Sequence, residues 1–196
     1  MNIFKMNPTP LINLLFKPRQ KAISSYYCEA EHIQNKVLKR LLKDAEDTEW
    51  GKKYNYSGIG TYEQFCKNVP IQTYEEIKQY VERMRRGEKD ILWPGEVKWF
   101  AKSSGTTNDK SKFIPVSKEG LKDIHYAGGR DAVALYMLAN PNSKMFSGKG
   151  LILGGSHSPN YNLSSSLVGD LSAILIENVN PLVNLVRVPE KKIALL

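Results

Sequence analysis

Residues 100–117 read Phe-Ala-Lys-Ser-Ser-Gly-Thr-Thr-Asn-Asp-Lys-Ser-Lys-Phe-Ile-Pro-Val-Ser. Four hydroxyls, from Ser103, Ser104, Thr106 and Thr107, surround Gly105, and Lys112 follows five residues after the last of them. Glycine permits a positive φ or the close approach of a ligand to the backbone. Successive backbone N–H groups in such a turn form a concave anion nest. Hydroxyls add donors, and a lysine adds compensating charge. These are the parts needed to grip a polyphosphate. The chain contains no G-x-x-x-x-G-K-[ST] and no G-x-G-x-x-G, so neither a Walker A loop nor a Rossmann dinucleotide site is supported.

The other chemistry-bearing residues are weaker candidates. His32 falls on the polar side of a helical pattern and reads as solvent-facing. His125 falls on an apolar stripe and reads as a core histidine. Ser156 and His157 follow Gly154-Gly155 in a loop; an acyl-pocket role competes there with a plain surface loop. No His/Cys/Asp spacing suggests zinc. Tyr26, Tyr27, Tyr54 and Tyr56 resemble a stacking surface for single-stranded nucleic acid. Two of them lie on a helix's apolar stripe, which favours core packing.

The elements that must position the Ser/Thr/Gly loop are legible from periodicity and caps. Residues 20–46 predict one long amphipathic helix, with apolar side chains at three- and four-residue steps and Gly51 as its stop. Thr61-x-x-Gln64 and Thr73-x-x-Glu76 are capping boxes, predicting helices near 62–67 and 74–86. Arg83, Arg85 and Arg86 close the second, where cations suit the helix dipole better than they suggest a nucleic-acid patch. Val97–Ala101 and Lys112–Val116 predict strands on either side of the loop. Ser117 predicts the N-cap of a helix over 118–139, with a stripe of Leu121, Ile124, His125, Gly128, Ala132, Leu135, Tyr136 and Leu138. Leu151–Leu153 predicts a short buried strand, and Ser164–Ser166 the cap of a helix reaching Glu177. The expected fold class is α/β, a helical N-terminal layer packed on a mixed β-sheet. Residues 1–95 are expected to be mainly helical, and 96–196 to hold the sheet and a phosphate loop at 103–112.

Composition sets the outer bounds. The chain has 196 residues and a net charge of +8. Residues 1–100 carry 17 basic and 13 acidic groups, and residues 101–196 carry 11 and 7, so each part has the same excess of four. A nucleic-acid arm or polybasic anchor would concentrate that excess. Two cysteines, Cys28 and Cys66, cannot build a disulfide framework. With no signal segment or membrane-length apolar run, a cytoplasmic location is expected.

The S-S-G-T-T-x-x-x-S-K-F-I-P-V-S run resembles the phosphate-loop signature of the auxin-responsive acyl-acid amido synthetases. These are adenylate-forming enzymes that join carboxylic acids to amino acids. The upstream V-P-I-x-T-Y-E-E (Val69–Glu76) resembles the same branch. The resemblance implies an ATP- and Mg²⁺-dependent ligase acting on a small carboxylic acid and an amino acid or amine, with neither nucleic acid nor membrane as partner. It places Ser104, Gly105, Thr106 and Thr107 around the β- and γ-phosphates, Ser103 in support, and Lys112 either as electrostatic partner or as a brace of the loop through a carbonyl or a carboxylate. Where the family often has glycine, this chain has Asp109, a carboxylate that repels a polyphosphate unless it turns outward or meets Mg²⁺. Motifs for adenine, ribose, metal and a mobile C-terminal domain find no match after Gly155. The chain therefore reads as the N-terminal part of such an enzyme, inactive alone and completed by the C-terminal part of the same polypeptide. The alternative is a non-catalytic nucleotide- or anion-binding relative.

Overall fold

The computed structural model describes residues 9–103, 111–158, 161–163 and 165–195. These form two compact units, each assembled from separated stretches of chain.

The unit holding residues 30–118 and 157–171 contains helices α2 (Ala30–Ala45), α3 (Glu49–Lys53), α4 (Tyr62–Asn68) and α5 (Tyr74–Arg85). Its sheet contains β1 (Trp99–Lys102), β2 (Phe113–Val116) and β4 (Leu167–Gly169). The strand order is β2-β1-β4. β1 and β2 are antiparallel, with Trp99 opposite Val116 and Lys102 opposite Phe113. β1 and β4 are parallel, with Trp99 opposite Leu167. The sheet is therefore mixed, on the α/β plan expected from the sequence.

Both capping boxes form. The Gln64 amide N–H donates to Thr61 Oγ1 at 3.3 Å, and Gln64 Oε1 accepts from the backbone N–H of Gly60 at 2.7 Å. At α5, the Glu76 carboxylate accepts from both the N–H and the hydroxyl of Thr73, at 2.6 and 2.7 Å. Those bonds hold the Glu76 carboxyl below the usual carboxylate range. The core joins Trp50, Tyr80, Val81, Met84, Ile91, Val97, Phe100 and Val168. Trp50 meets Tyr80 edge-on at 5.1 Å, a favoured aromatic geometry.

The second unit holds α1 (Thr9–Cys28), a π-helical segment (Gly120–Tyr126), α6 (Ala127–Ala139), β3 (Gly150–Leu151), α7 (Leu171–Asn178), β5 (Arg187–Val188) and α8 (Lys191–Ala194). Leu171 is counted with the first unit, and the rest of α7 lies here. α1 is fastened to α6 by an Arg19–Asp131 ion pair and by the Gln20 amide donating to the Ala134 carbonyl at 3.0 Å. The guanidinium holds the Asp131 carboxyl below its ordinary value. β3 and β5 form a separate two-stranded parallel sheet.

Several sequence expectations are corrected. The long helix predicted over 20–46 is two helices with a bend at Glu29. α1 begins at Thr9 and runs through Pro18, and it packs within a different unit from α2. Gly51 does not stop a helix. It lies inside α3, where a Cβ would stand 2.0 Å from the Ala45 carbonyl oxygen, so only glycine fits. The π-helical turns at 120–126 contain an extra residue per hydrogen-bonded turn. In α6 the buried residues are Ala134 and Met137, one position before the expected Leu135 and Leu138, which are exposed. Residues 167–169 are a strand rather than the start of a helix, because β1 offers Val168 a buried pairing edge. Leu151 and Leu153 are 73% and 70% exposed, not buried, since the short β3–β5 sheet covers neither. Tyr27, expected in a core, is 95% exposed. Among the described residues, no helix is long and apolar enough to cross a membrane.

Candidate functional site

The hairpin β1–β2 places Ser103 and Lys112 at the two feet of the predicted phosphate loop. The Ser103 backbone N–H donates to the Lys112 carbonyl at 2.9 Å. The Lys112 N–H donates in return to Ser103 Oγ at 3.0 Å. A serine is suited to this position because its short hydroxyl completes the ladder where a second backbone carbonyl is out of register. Ser103 thus braces the neck of the hairpin. Ser104, Gly105, Thr106 and Thr107, and also Asp109, lie outside the described residues.

Both feet are pinned from outside the hairpin. The Phe113 N–H donates to Tyr74 Oη at 2.9 Å, tying β2 to the first turn of α5. Arg85, in the last turn of α5, is only 5% exposed. Its guanidinium carbon lies 3.7 Å from the centre of the Phe113 ring. Nη1 donates to both Glu82 carboxylate oxygens at 2.9 Å, and Nη2 donates to the Tyr161 carbonyl at 2.6 Å. One planar cation therefore joins a helix, a strand and the 161 segment, a task suited to the fixed fork of arginine. The Tyr161 ring meets Phe113 at 5.7 Å between centres. Arg83, by contrast, pairs outward with Glu49 and Glu88 at 2.8 Å.

Two lysine ammonium groups flank the feet. Lys102 Nζ stands 3.9 Å above the Tyr161 ring, and Lys112 Nζ stands 5.5 Å from the Tyr74 ring centre. Neither forms an ion pair among the described residues. Among the described residues, the hairpin end thus carries two positive charges that no carboxylate pairs, a setting that attracts an anion. Among the described residues, no group of three His, Cys, Asp or Glu side chains could hold a metal ion.

The histidines divide. His32 is exposed, as expected. His125 is half-buried in the π-helical segment. His157 is half-buried, forms an isolated bridge to Gly169, and packs its ring 5.1 Å from Trp99. Its Nε2 is buried without a hydrogen-bond partner among the described residues. Sequence reasoning found Ser103 and Lys112, but it missed Lys102, Tyr74, Arg85 and Tyr161 as parts of this constellation. Lys102 carried a signal, since it directly precedes Ser103. The other three are joined to the loop only through the fold.

Over 93 residues the chain is 33% identical to the indole-3-acetic acid-amido synthetase GH3.15 of Arabidopsis thaliana, covering 47% of this chain and 16% of that one. Over 122 residues it is 30% identical to the 4-substituted benzoates-glutamate ligase GH3.12 of the same plant, covering 62% of this chain and 20% of the relative. Among solved structures, a GH3.15 acyl acid amido synthetase superposes with a TM-score of 0.71 at 22% identity, over 89% of this chain and 30% of that one. The chain thus spans less than a third of the length of these proteins. A family model described as the GH3 family N-terminal domain matches residues 19–195, and the chain belongs to that family, as a portion of its N-terminal domain.

Proposed function

We propose that this chain supplies the polyphosphate-gripping part of an ATP-dependent ligase that joins a carboxylic acid to an amino acid or amine. In the first step a carboxylate oxygen attacks the α-phosphorus of ATP, and the bond to the pyrophosphate oxygen breaks. The products are an acyl-adenylate and pyrophosphate. In the second step an amine nitrogen attacks the acyl carbon, AMP leaves, and the nitrogen gives up a proton. The names of the relatives, which couple indole-3-acetic acid or substituted benzoates to amino acids, support aromatic acids as the substrate class.

The work assigned to this stretch of chain is to bind pyrophosphate oxygens and balance the charge that develops as they depart. Ser103 holds the neck. Ser104, Gly105, Thr106 and Thr107 cradle the β- and γ-phosphates, and Lys112 supplies charge at the rim. Magnesium accompanies ATP as part of the substrate, and this reading gives it no ligand among the described residues. The single observation that carries the reading is the doubly hydrogen-bonded Ser103–Lys112 neck with two ammonium groups beside it that form no ion pair among the described residues.

The test is calorimetric titration of the 196-residue protein with MgATP and with pyrophosphate. Binding of both is expected, with Lys112→Met weakening pyrophosphate by roughly ten-fold or more, the size of a lost hydrogen bond to a charged group. The chain alone is expected to release no pyrophosphate in response to added carboxylic acids. An absence of polyphosphate binding would overturn the reading.

A further inference from the structure

The proposed loop has one lysine in its signature, yet the structure places two ammonium groups at its feet. Lys102 is the last residue of β1 and lies directly opposite Phe113 in the ladder. Alternation along the strand puts it on the same face as Phe100, which is fully buried. The strand thus directs an ammonium group along a row that begins in the core and ends at the mouth of the hairpin. There the ammonium rests on the face of Tyr161, 3.9 Å from the ring centre. It has no ion pair among the described residues, and none of them accepts a hydrogen bond from its ammonium group. A ring face attracts a cation but satisfies no N–H donor.

The ring is itself held in place. The Tyr161 carbonyl accepts from Arg85 and its ring leans on Phe113. Arg85 and Phe113 are the residues that fix the second foot of the hairpin. The seat of the Lys102 ammonium and the geometry of the neck are therefore set by the same buried guanidinium. Lys112 repeats the arrangement more loosely, with its ammonium facing Tyr74 while the Tyr74 hydroxyl pins Phe113.

We propose that Lys102 is a second cation of the polyphosphate site, and that Tyr161 is the positioning residue that seats its ammonium at the mouth of the hairpin until a phosphate oxygen takes the ring's place. The proposal rests on the polyphosphate reading given above and extends it to a residue outside the loop signature. A phosphate oxygen offers the ammonium a charged acceptor, a stronger partner than a ring face. The exchange needs only rotation about the lysine side chain and no movement of β1.

Pyrophosphate titrations at fixed ionic strength test this on the 196-residue protein, with melting temperatures recorded for every variant. Lys102→Met should weaken pyrophosphate binding by roughly ten-fold, with little change in melting. Tyr161→Leu should weaken it by about two- to five-fold, and the conservative Tyr161→Phe should restore that loss. Methionine keeps most of the aliphatic stem, so a purely structural Lys102 would lower neither quantity. In wild type, the Lys102 ε-methylene protons carry the ring-current shift of Tyr161 in NMR spectra. Pyrophosphate should move them towards the values of an ordinary exposed lysine, which gives a reading independent of any variant's folding. Wild-type affinity retained by Lys102→Met would overturn the proposal alone. So would an unmoved Lys102 signal while the Ser103 and Lys112 amides shift. A wild-type protein that fails to bind pyrophosphate would overturn both this proposal and the reading beneath it.

Discussion

The two ends of the β1–β2 ladder are built on opposite terms. At one end Trp99 faces Val116, and Phe100 lies fully buried between α5 and β4 in a core with Val81, Met84 and Val168. At the other end Lys102, Ser103 and Lys112 are half-buried or exposed, and order comes from polar pins supplied by Tyr74 and Arg85. The buried end gains its stability from removing apolar surface from water, a term without directionality. The open end uses directional bonds and so can be rigid without being covered. A hairpin of four residues per strand thereby separates the part that holds the fold from the part that meets a ligand.

Four substitutions probe that separation. Phe100→Ala should have the largest effect, about 3–5 kcal/mol of stability lost through lost burial and a cavity. Chemical denaturation would measure it, and pyrophosphate affinity per folded molecule should hardly change. Arg85→Met should cost about 2–3 kcal/mol, because it strips a charged hydrogen bond from Tyr161 and leaves the Glu82 carboxylate unpaired. Since Arg85 fixes Phe113 and Tyr161 at the open end, its loss should also weaken pyrophosphate binding, and calorimetry on the same sample would separate the two losses. Tyr74→Phe removes the hydroxyl that accepts from the Phe113 N–H at 2.9 Å and donates at 3.5 Å to the Phe113 carbonyl, so about 1 kcal/mol is expected in a melt, with a change in hydrogen exchange confined to Phe113 and its neighbours. The smallest effect is a pH effect at the start of α5. The Glu76 carboxyl is lowered in the folded state by the Thr73 N–H. Its contribution is therefore present above the unfolded value, about 4.3, and is lost as pH falls through the lower folded one. Glu76→Gln should lower the neutral plateau slightly and flatten the acid limb of the stability profile below about pH 4.3, so that the two proteins converge at low pH.

What the sequence disclosed, and what it did not, follows the range of the interactions. The capping boxes at Thr61 and Thr73 are closed within four residues, and the loop neck from Ser103 to Lys112 within ten; both were legible. The bend at Glu29 was not, because nothing local marks where α1 leaves one unit and α2 enters the other. β4 was read as helix because its strand character comes from β1, far upstream. The buried residues of α6, Ala134 and Met137, were not the expected Leu135 and Leu138, because burial there is set by packing against α1. At the site, Ser103 and Lys112 were visible as a motif. Arg85 was read only as a cation suited to a helix end, and its stacking on Phe113 arises from tertiary packing. Family membership was legible because it rests on contiguous residues.

The interleaving of the two units bears on how the chain acquires its structure. The backbone passes between the units four times, at residues 29–30, 118–119, 156–157 and 171–172. During synthesis β1 and β2 can pair as soon as Val116 is available, but the parallel edge of β1 stays open until β4 has been made. Non-local pairing of this kind is slow, because the intervening chain must be ordered first. The hairpin that carries the proposed anion site should therefore form early and stiffen late, when Val168 closes the core. No single cut in the gene releases either unit intact, so a shortened version of this protein would need a permuted chain or a designed bridge between Lys118 and His157.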